Sequence, residues 1–156
     1  MINNWLMKSE PSCFSIDDLK KKKRDAWSGV RNYQARNFMR DDMKVGDKVL
    51  FYHSSCSVPA VVGIAKVCKI AHPDNSALDP NDEHFDPKHK IEKPIWFCVD
   101  VEFVSKFKEP VTLDMIKFNP KLKGIMVEKR GSRLSIQPVS EKHYVEILKM
   151  STQKAF

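Results

Sequence analysis

No stretch of this chain approaches the roughly 20 apolar residues needed to span a bilayer. The opening Met1-Ile2-Asn3-Asn4-Trp5 also lacks the charged start and apolar core of a secretory leader. Both absences point to an intracellular protein with no membrane partner, cytoplasmic or, in a eukaryote, nuclear. Closely spaced Cys or His pairs of the kind a zinc site uses are missing too. So are the G-x-S-x-G nucleophile elbow, the phosphate-cradling G-x-x-x-x-G-K, the H-E-x-x-H helix and the dinucleotide glycine fingerprint. The motif-borne enzyme classes lose their support, and neither catalytic residues nor a metal nor a cofactor is expected. The four cysteines, Cys13, Cys56, Cys68 and Cys98, are irregularly spaced. They read as reduced thiols rather than a disulfide framework. Neither an internal repeat nor a linker divides the 156 residues, so one domain over 1–156, expected as a monomer, is the natural reading.

What is present suits a folded core: 42% hydrophobic and 30% charged residues, with three Trp and nine Phe. Lys and Arg number 27 against 20 Asp and Glu, a net charge of +7, which draws polyanions. The densest run, Lys20 to Arg24, has an ordinary explanation as the cationic end of a helix.

The pattern predicts a strand at Asn4–Lys8 and a helix capped by Ser15. A second helix runs from an Asn32 cap to Met43, and a buried strand follows over Lys48–His53. Val61–Ile70 is another strand, with Gly63 marking a bulge or a close backbone approach. The alternation of Phe97, Val99, Val101 and Phe103 with mostly polar neighbours gives a third. Thr112 caps a short helix to Lys117, Arg133–Gln137 alternates as a strand, and Ser140 opens a terminal helix whose Tyr144, Ile147 and Leu148 share a face. Between strands, His72–Pro94 carries four prolines among Asp, Asn and Lys, a long loop for which a lid, a binding loop, a disordered stretch and simple decoration are the alternatives. Short strands and helices without regular alternation favour an α+β fold with a curled or closed sheet over a doubly wound one.

Three segments join polar groups to aromatics where loops leave buried elements. In Lys8-Ser9-Glu10-Pro11 a strand turns. In Trp27-Ser28-Gly29-Val30-Arg31-Asn32-Tyr33-Gln34-Ala35-Arg36 a Trp precedes a helix start, whose free N–H groups attract an acceptor. In Arg133-Leu134-Ser135-Ile136-Gln137-Pro138, alternate Arg, Ser and Gln share one strand face. Singly, each is explained as a charged turn, a core Trp beside a capped helix, or a solvated face. His53 before Ser54 invites a nucleophile-and-base reading, but neighbouring strand residues point to opposite faces. A hydrogen-bonded structural histidine is the simpler reading.

Together, the blocks Trp5-Leu6-Met7-Lys8-Ser9-Glu10-Pro11, Trp27 to Asn37, Val45-Gly46-Asp47-Lys48-Val49-Leu50-Phe51-Tyr52-His53-Ser54 and Arg133 to Val139 resemble the EVE domain, a PUA-like family, over nearly the whole chain. The resemblance implies a small β-barrel of mixed strands flanked by short helices, and a non-enzymatic module that reads a modified base in DNA, 5-methylcytosine or an oxidised derivative. Nucleic acid is the implied partner, DNA favoured over RNA. A base out of its stack needs an aromatic platform and partners for its edge. Trp27 would wall it, with Ser9, Glu10, Asn32 and Gln137 pairing its edge and Val30 and Phe51 bounding a recess for the substituent. Lys8, His53 and Ser135 complete the expected pocket. Arg31 would meet the base edge or a phosphate, and Arg36 and Arg133 phosphates. Two alternatives stay open: an RNA-binding module of the same superfamily, and an enzyme on a nucleotide-like molecule using Lys8, Glu10 or His53.

Overall fold

The computed structural model describes residues 2–129 and 133–152, so the expected span of 1–156 includes positions outside the described residues. In chain order the elements are β1 (Asn4–Ser9), α1 (Ile16–Lys22), β2 (Arg24–Ala26), α2 (Tyr33–Asn37), β3 (Lys48–His53), β4 (Ala60–Pro73), β5 (Phe97–Thr112), α3 (Leu113–Phe118), β6 (Ile136–Val139) and α4 (Glu141–Thr152). A π-helical turn, Phe38–Asp42, extends α2.

Local chemistry explains most boundaries. Ser15 and Asp18 form a reciprocal capping box at α1, and Lys20, Lys21 and Lys22 lie in its last turn, where cations meet the negative end of the dipole. Arg24 leaves that helix and starts β2 instead. Asn32 and Thr112 cap α2 and α3 through side-chain oxygens. β6 departs from expectation. It covers Ile136–Val139, so Arg133 and Ser135 precede the strand and do not share its face with Gln137. Pro138 sits inside β6 because that strand lies at the sheet edge, where a missing N–H is tolerated.

All six strands join one sheet in the order β2-β5-β4-β3-β1-β6. β1 and β3 run parallel and the other neighbours antiparallel. Among the described residues β2 and β6 are edges with no pairing between them, so the sheet is open and the expected closed barrel is not formed by these ladders. Register shifts interrupt β3·β4 at Phe51/Tyr52 and β4·β5 at four places; bulges of this kind bend and twist strands. Gly63 lies at one of these shifts: a Cβ there would stand 2.5 Å from the Ser105 carbonyl oxygen and 2.9 Å from Ile16 Cδ1. Bulge and close approach therefore coincide.

Strand alternation sorts two cores. Trp5, Met7, Val49 and Phe51 face α1, α2 and the loops, whereas Leu6, Leu50 and Tyr52 face α3 and α4. Fully buried Asp47 ties the first turns together, accepting from Asn3 N (3.1 Å), Trp5 Nε1 (2.9 Å) and Lys44 N (3.0 Å). Among the described residues no helix is long and apolar enough to cross a membrane.

Candidate functional site

At the carboxyl end of β1, on the Trp5–Met7–Phe51 face, a cleft of about 870 Å³ opens. Seven of the expected residues line it: Lys8, Ser9, Glu10, Trp27, Val30, Arg31 and Ser135. The strand end brings the first three and the segment that follows β2 brings Trp27. Ser135 arrives through the chain before β6, where Lys8 N donates to Ser135 O at 2.8 Å. Ser9 Oγ donates to Phe14 O at 2.6 Å, closing the tight turn that also carries Cys13 and Phe14 into the cleft wall. Burial pushes the Lys8 ammonium below its ordinary value.

Trp27 is 7% exposed and rests edge-on against Phe51, ring centroids 5.3 Å apart, with Phe14 at 6.3 Å. Its backbone N–H is held by Val99 O at 2.8 Å. The indole N–H groups of Trp5 and Trp96 are each committed to a carboxylate, Asp47 and Asp86. Among the described residues that of Trp27 has no acceptor, which leaves the cleft tryptophan with a donor to offer.

The opposite wall is the proline-rich loop, represented by Asn81, Asp82, Glu83 and His84. Arg31 holds it. The guanidinium donates to His84 O from Nε (3.0 Å) and Nη2 (2.8 Å), to Val30 O (3.0 Å) and Asp74 Oδ2 (3.1 Å) from Nη1, and to Ser76 Oγ (3.1 Å) from Nη2. All five N–H donors of a guanidinium are thereby used, so Arg31 builds the cleft wall and has none left for a phosphate. Asp74, 1% exposed, also accepts from Gly29 N at 2.8 Å and from Ser76. Burial alone would raise the Asp74 carboxyl, but the hydrogen bonds from Ser76, Gly29 and Arg31 outweigh it and hold it below the ordinary carboxylate value. Gly29 sits at φ +85°, a backbone conformation that favours glycine, and a Cβ there would lie 2.8 Å from the His84 ring, which would have to turn aside.

The far end of the loop is latched by His89, 3% exposed, whose Nδ1 accepts from Ile95 N (3.1 Å) and Trp96 N (3.0 Å). Those bonds demand a neutral ring. Burial, helped by the Arg31 charge and opposed by Asp74 and Asp86, lowers the His89 pKa. A folded value below the unfolded one, about 6.5, means the latch contributes fully above that pH and is lost as pH falls through the folded value. Asp74, depressed from 3.8, fails only at lower pH. Acidification from pH 7 to pH 5 is therefore expected to weaken hydrogen-exchange protection at the Ile95 and Trp96 amides before that of β3; equal protection at both pH values would show that His89 is not the latch.

The remaining expected residues are placed elsewhere. Asn32 is occupied as a helix cap, accepting from Ala35 N at 2.9 Å. Phe51 lies fully buried behind Trp27. His53 Nε2 accepts from Ile16 N at 3.1 Å, closing the start of α1. Gln137 pairs with Leu6 across β1·β6, 1% exposed, on the side of the sheet opposite the cleft. Arg36 donates to Ile95 O at 2.9 Å and lies 4.8 Å over the Tyr33 ring, which stacks on Trp96 at 4.9 Å. Arg133 is exposed and outside the cleft lining. The sequence marks His72–Pro94 as a candidate lid or binding loop and Ser28 as part of a polar-aromatic segment, but gives Asp25, Ser28 and residues 81–84 no individual place in the pocket. Gly29 before the helix is the local sign of the contact, since a glycine in a left-handed turn leaves room for a neighbour.

Cys98, His72 and Asp100 imitate a nucleophile triad without being one. His72 Nε2 meets Asp100 Oδ1 at 2.7 Å, but Cys98 Sγ is 3.9 Å from both ring nitrogens, a side-on approach. Burial, with the Asp74 and Asp100 charges, pushes the thiol up to about 12, so it stays protonated and unreactive at neutral pH.

The EVE domain family model matches residues 3–150. Thymocyte nuclear protein 1 of Gallus gallus is 41% identical over 170 residues, covering 97% of this chain and 69% of that protein. The Homo sapiens protein of the same name is 39% identical over 171 residues, covering 97% and 75%. Among solved structures, a hypothetical protein from Leishmania major superposes with a TM-score of 0.92 at 50% identity, covering 97% of this chain and 95% of that one. Human THYN1 in complex with 5-methylcytosine-containing DNA gives 0.90 at 39% identity, covering 98% and 99%. The chain belongs to the EVE domain family.

Proposed function

We propose that this chain is a non-enzymatic DNA-binding module that takes a 5-modified cytosine, 5-methylcytosine or an oxidised derivative, into the Trp27 cleft. The observation that carries this reading is the cleft itself: an aromatic wall with an uncommitted donor, facing a loop fixed by half-buried hydrogen bonds. Its likeness to a human relative whose structure contains 5-methylcytosine DNA supports the choice of ligand. A flat heterocycle stacks on or against an indole, and its polar edge needs partners. Glu10, Asp25, Asp82 and Glu83 line the cleft; carboxylates accept from a cytosine 4-amino group and find no donor on the O4 of thymine. Val30 bounds an apolar recess for the 5-substituent, Ser9, Ser135 and Lys8 border the base, and Arg133 lies exposed as a rim contact for phosphate. Arg31 serves by holding the wall.

Burying one methyl group contributes about 0.8 kcal/mol, roughly a fourfold preference. Titration of short DNAs differing only in cytosine, 5-methylcytosine, 5-hydroxymethylcytosine or thymine at one position is expected to show at least that preference for the modified cytosines, retained as salt rises. Equal affinities for all four, vanishing together in salt, would leave only charge attraction and overturn the reading.

A further inference from the structure

A second hollow lies across the sheet from the cleft and shares one residue with it. The alternation that sends Met7 to the Trp27 face sends Lys8 to the other, beside Tyr52, its register partner on β3. There Lys8, Tyr52, Ser54, Lys117 and Lys129 border a space of about 250 Å³.

The two hollows differ in charge. Four carboxylates line the cleft, and of its two cations Arg31 is fully engaged within the protein. The smaller hollow has two ammonium groups of its own, Lys117 and Lys129, against one carboxylate, Glu128, with Lys8 shared between the two spaces. Among the described residues neither Lys117 nor Lys129 forms an ion pair. Tyr52 is only 3% exposed and its hydroxyl bonds to none of the described residues, yet its oxygen is not among the sealed, unpartnered polar atoms. It opens onto the hollow. Burial pushes its pKa up to about 12, so the hydroxyl remains a donor at neutral pH.

Carboxylates repel a phosphate, and the cleft that suits a base is for that reason hostile to the backbone carrying it. We infer that the smaller hollow receives a DNA backbone phosphate flanking the nucleotide whose base enters the cleft, with Lys117 and Lys129 supplying charge and Tyr52 a hydrogen bond. This rests on the reading of the cleft as a base pocket. Lys8, bordering both spaces, marks where the strand passes from one to the other.

Phosphate contacts give affinity without sequence choice and set the salt dependence. Lys117→Ala and Lys129→Ala are each expected to lower affinity for modified and unmodified DNA by the same factor and to reduce the slope of log K against log salt by roughly 1. Tyr52→Phe should weaken both DNAs equally with little change in slope. Lys69→Ala, the same charge change on β4 outside both hollows, is the control. Lysine variants indistinguishable from that control, or weakening modified DNA alone, would overturn the inference. If wild-type protein fails to distinguish modified from unmodified cytosine while the lysine variants still flatten the salt slope, the base reading fails and the phosphate site stands.

Discussion

Trp27→Ala is expected to abolish discrimination between modified and unmodified cytosine and to destabilise the fold by about 3–5 kcal/mol, the usual loss for truncating a buried aromatic. The size follows from its surroundings, since Trp27 fills the space between Phe51 and Phe14 at the cleft floor. Domain stabilities run to about 5–15 kcal/mol, so binding should be compared at low temperature after far-UV circular dichroism shows an unchanged fold. Trp27→Phe separates the two roles. A phenyl ring keeps much of the contact with Phe51 but has no N–H, so it should retain more stability while losing whatever the uncommitted indole donor contributes to binding. Unaltered discrimination in Trp27→Ala would remove the aromatic wall from the reading altogether.

Arg31→Ala should be nearly as severe, by a different route. The four hydrogen bonds that join the start of the α2 segment to the loop disappear, together with the one to Val30 O, and among the described residues Asp74 keeps its buried charge with Gly29 and Ser76 as its only remaining donors. Removing one partner of a buried pair typically destabilises by about 3–5 kcal/mol. With the Arg31 side chain 21% exposed, a value on the order of 3 kcal/mol is expected, a fall in Tm of roughly 6–12 °C for a domain of this size. Protease sensitivity should appear selectively between residues 79 and 94. Arg31→Lys should recover little, because an ammonium group cannot reproduce the planar fork that reaches His84 O and Asp74 together. A normal Tm and a protected loop in Arg31→Ala would mean that the loop holds itself.

The strands and caps were legible because their signals are local. β1 and β3 announce themselves as apolar runs, and Ser15, Asn32 and Thr112 stand where a cap must. The N-terminal half of the cleft was legible for the same reason, its residues lying within two short segments. The loop was not. Arg31 meets its loop partners 43 to 53 residues downstream, and nothing in a charged, proline-rich stretch says that one half-buried arginine will organise it. The alternation of Arg133, Ser135 and Gln137 misled because a period of two in a sequence does not say where hydrogen bonding begins. With the ladder starting at Ile136, Gln137 follows Leu6 to the far side of the sheet. An open sheet likewise has the same alternation as a closed one, and only the pairing of its end strands distinguishes them.

The latched loop also bears on how quickly a ligand is captured. Arg31 and the Nδ1 of His89 hold the far wall of the cleft entirely through bonds within the chain, so the wall's position depends on no contact from a ligand. Encounter therefore carries no ordering entropy for that segment and waits on no slow rearrangement. Association should be governed by diffusion under the pull of a net charge of +7, leaving residence time as the quantity in which one base differs from another.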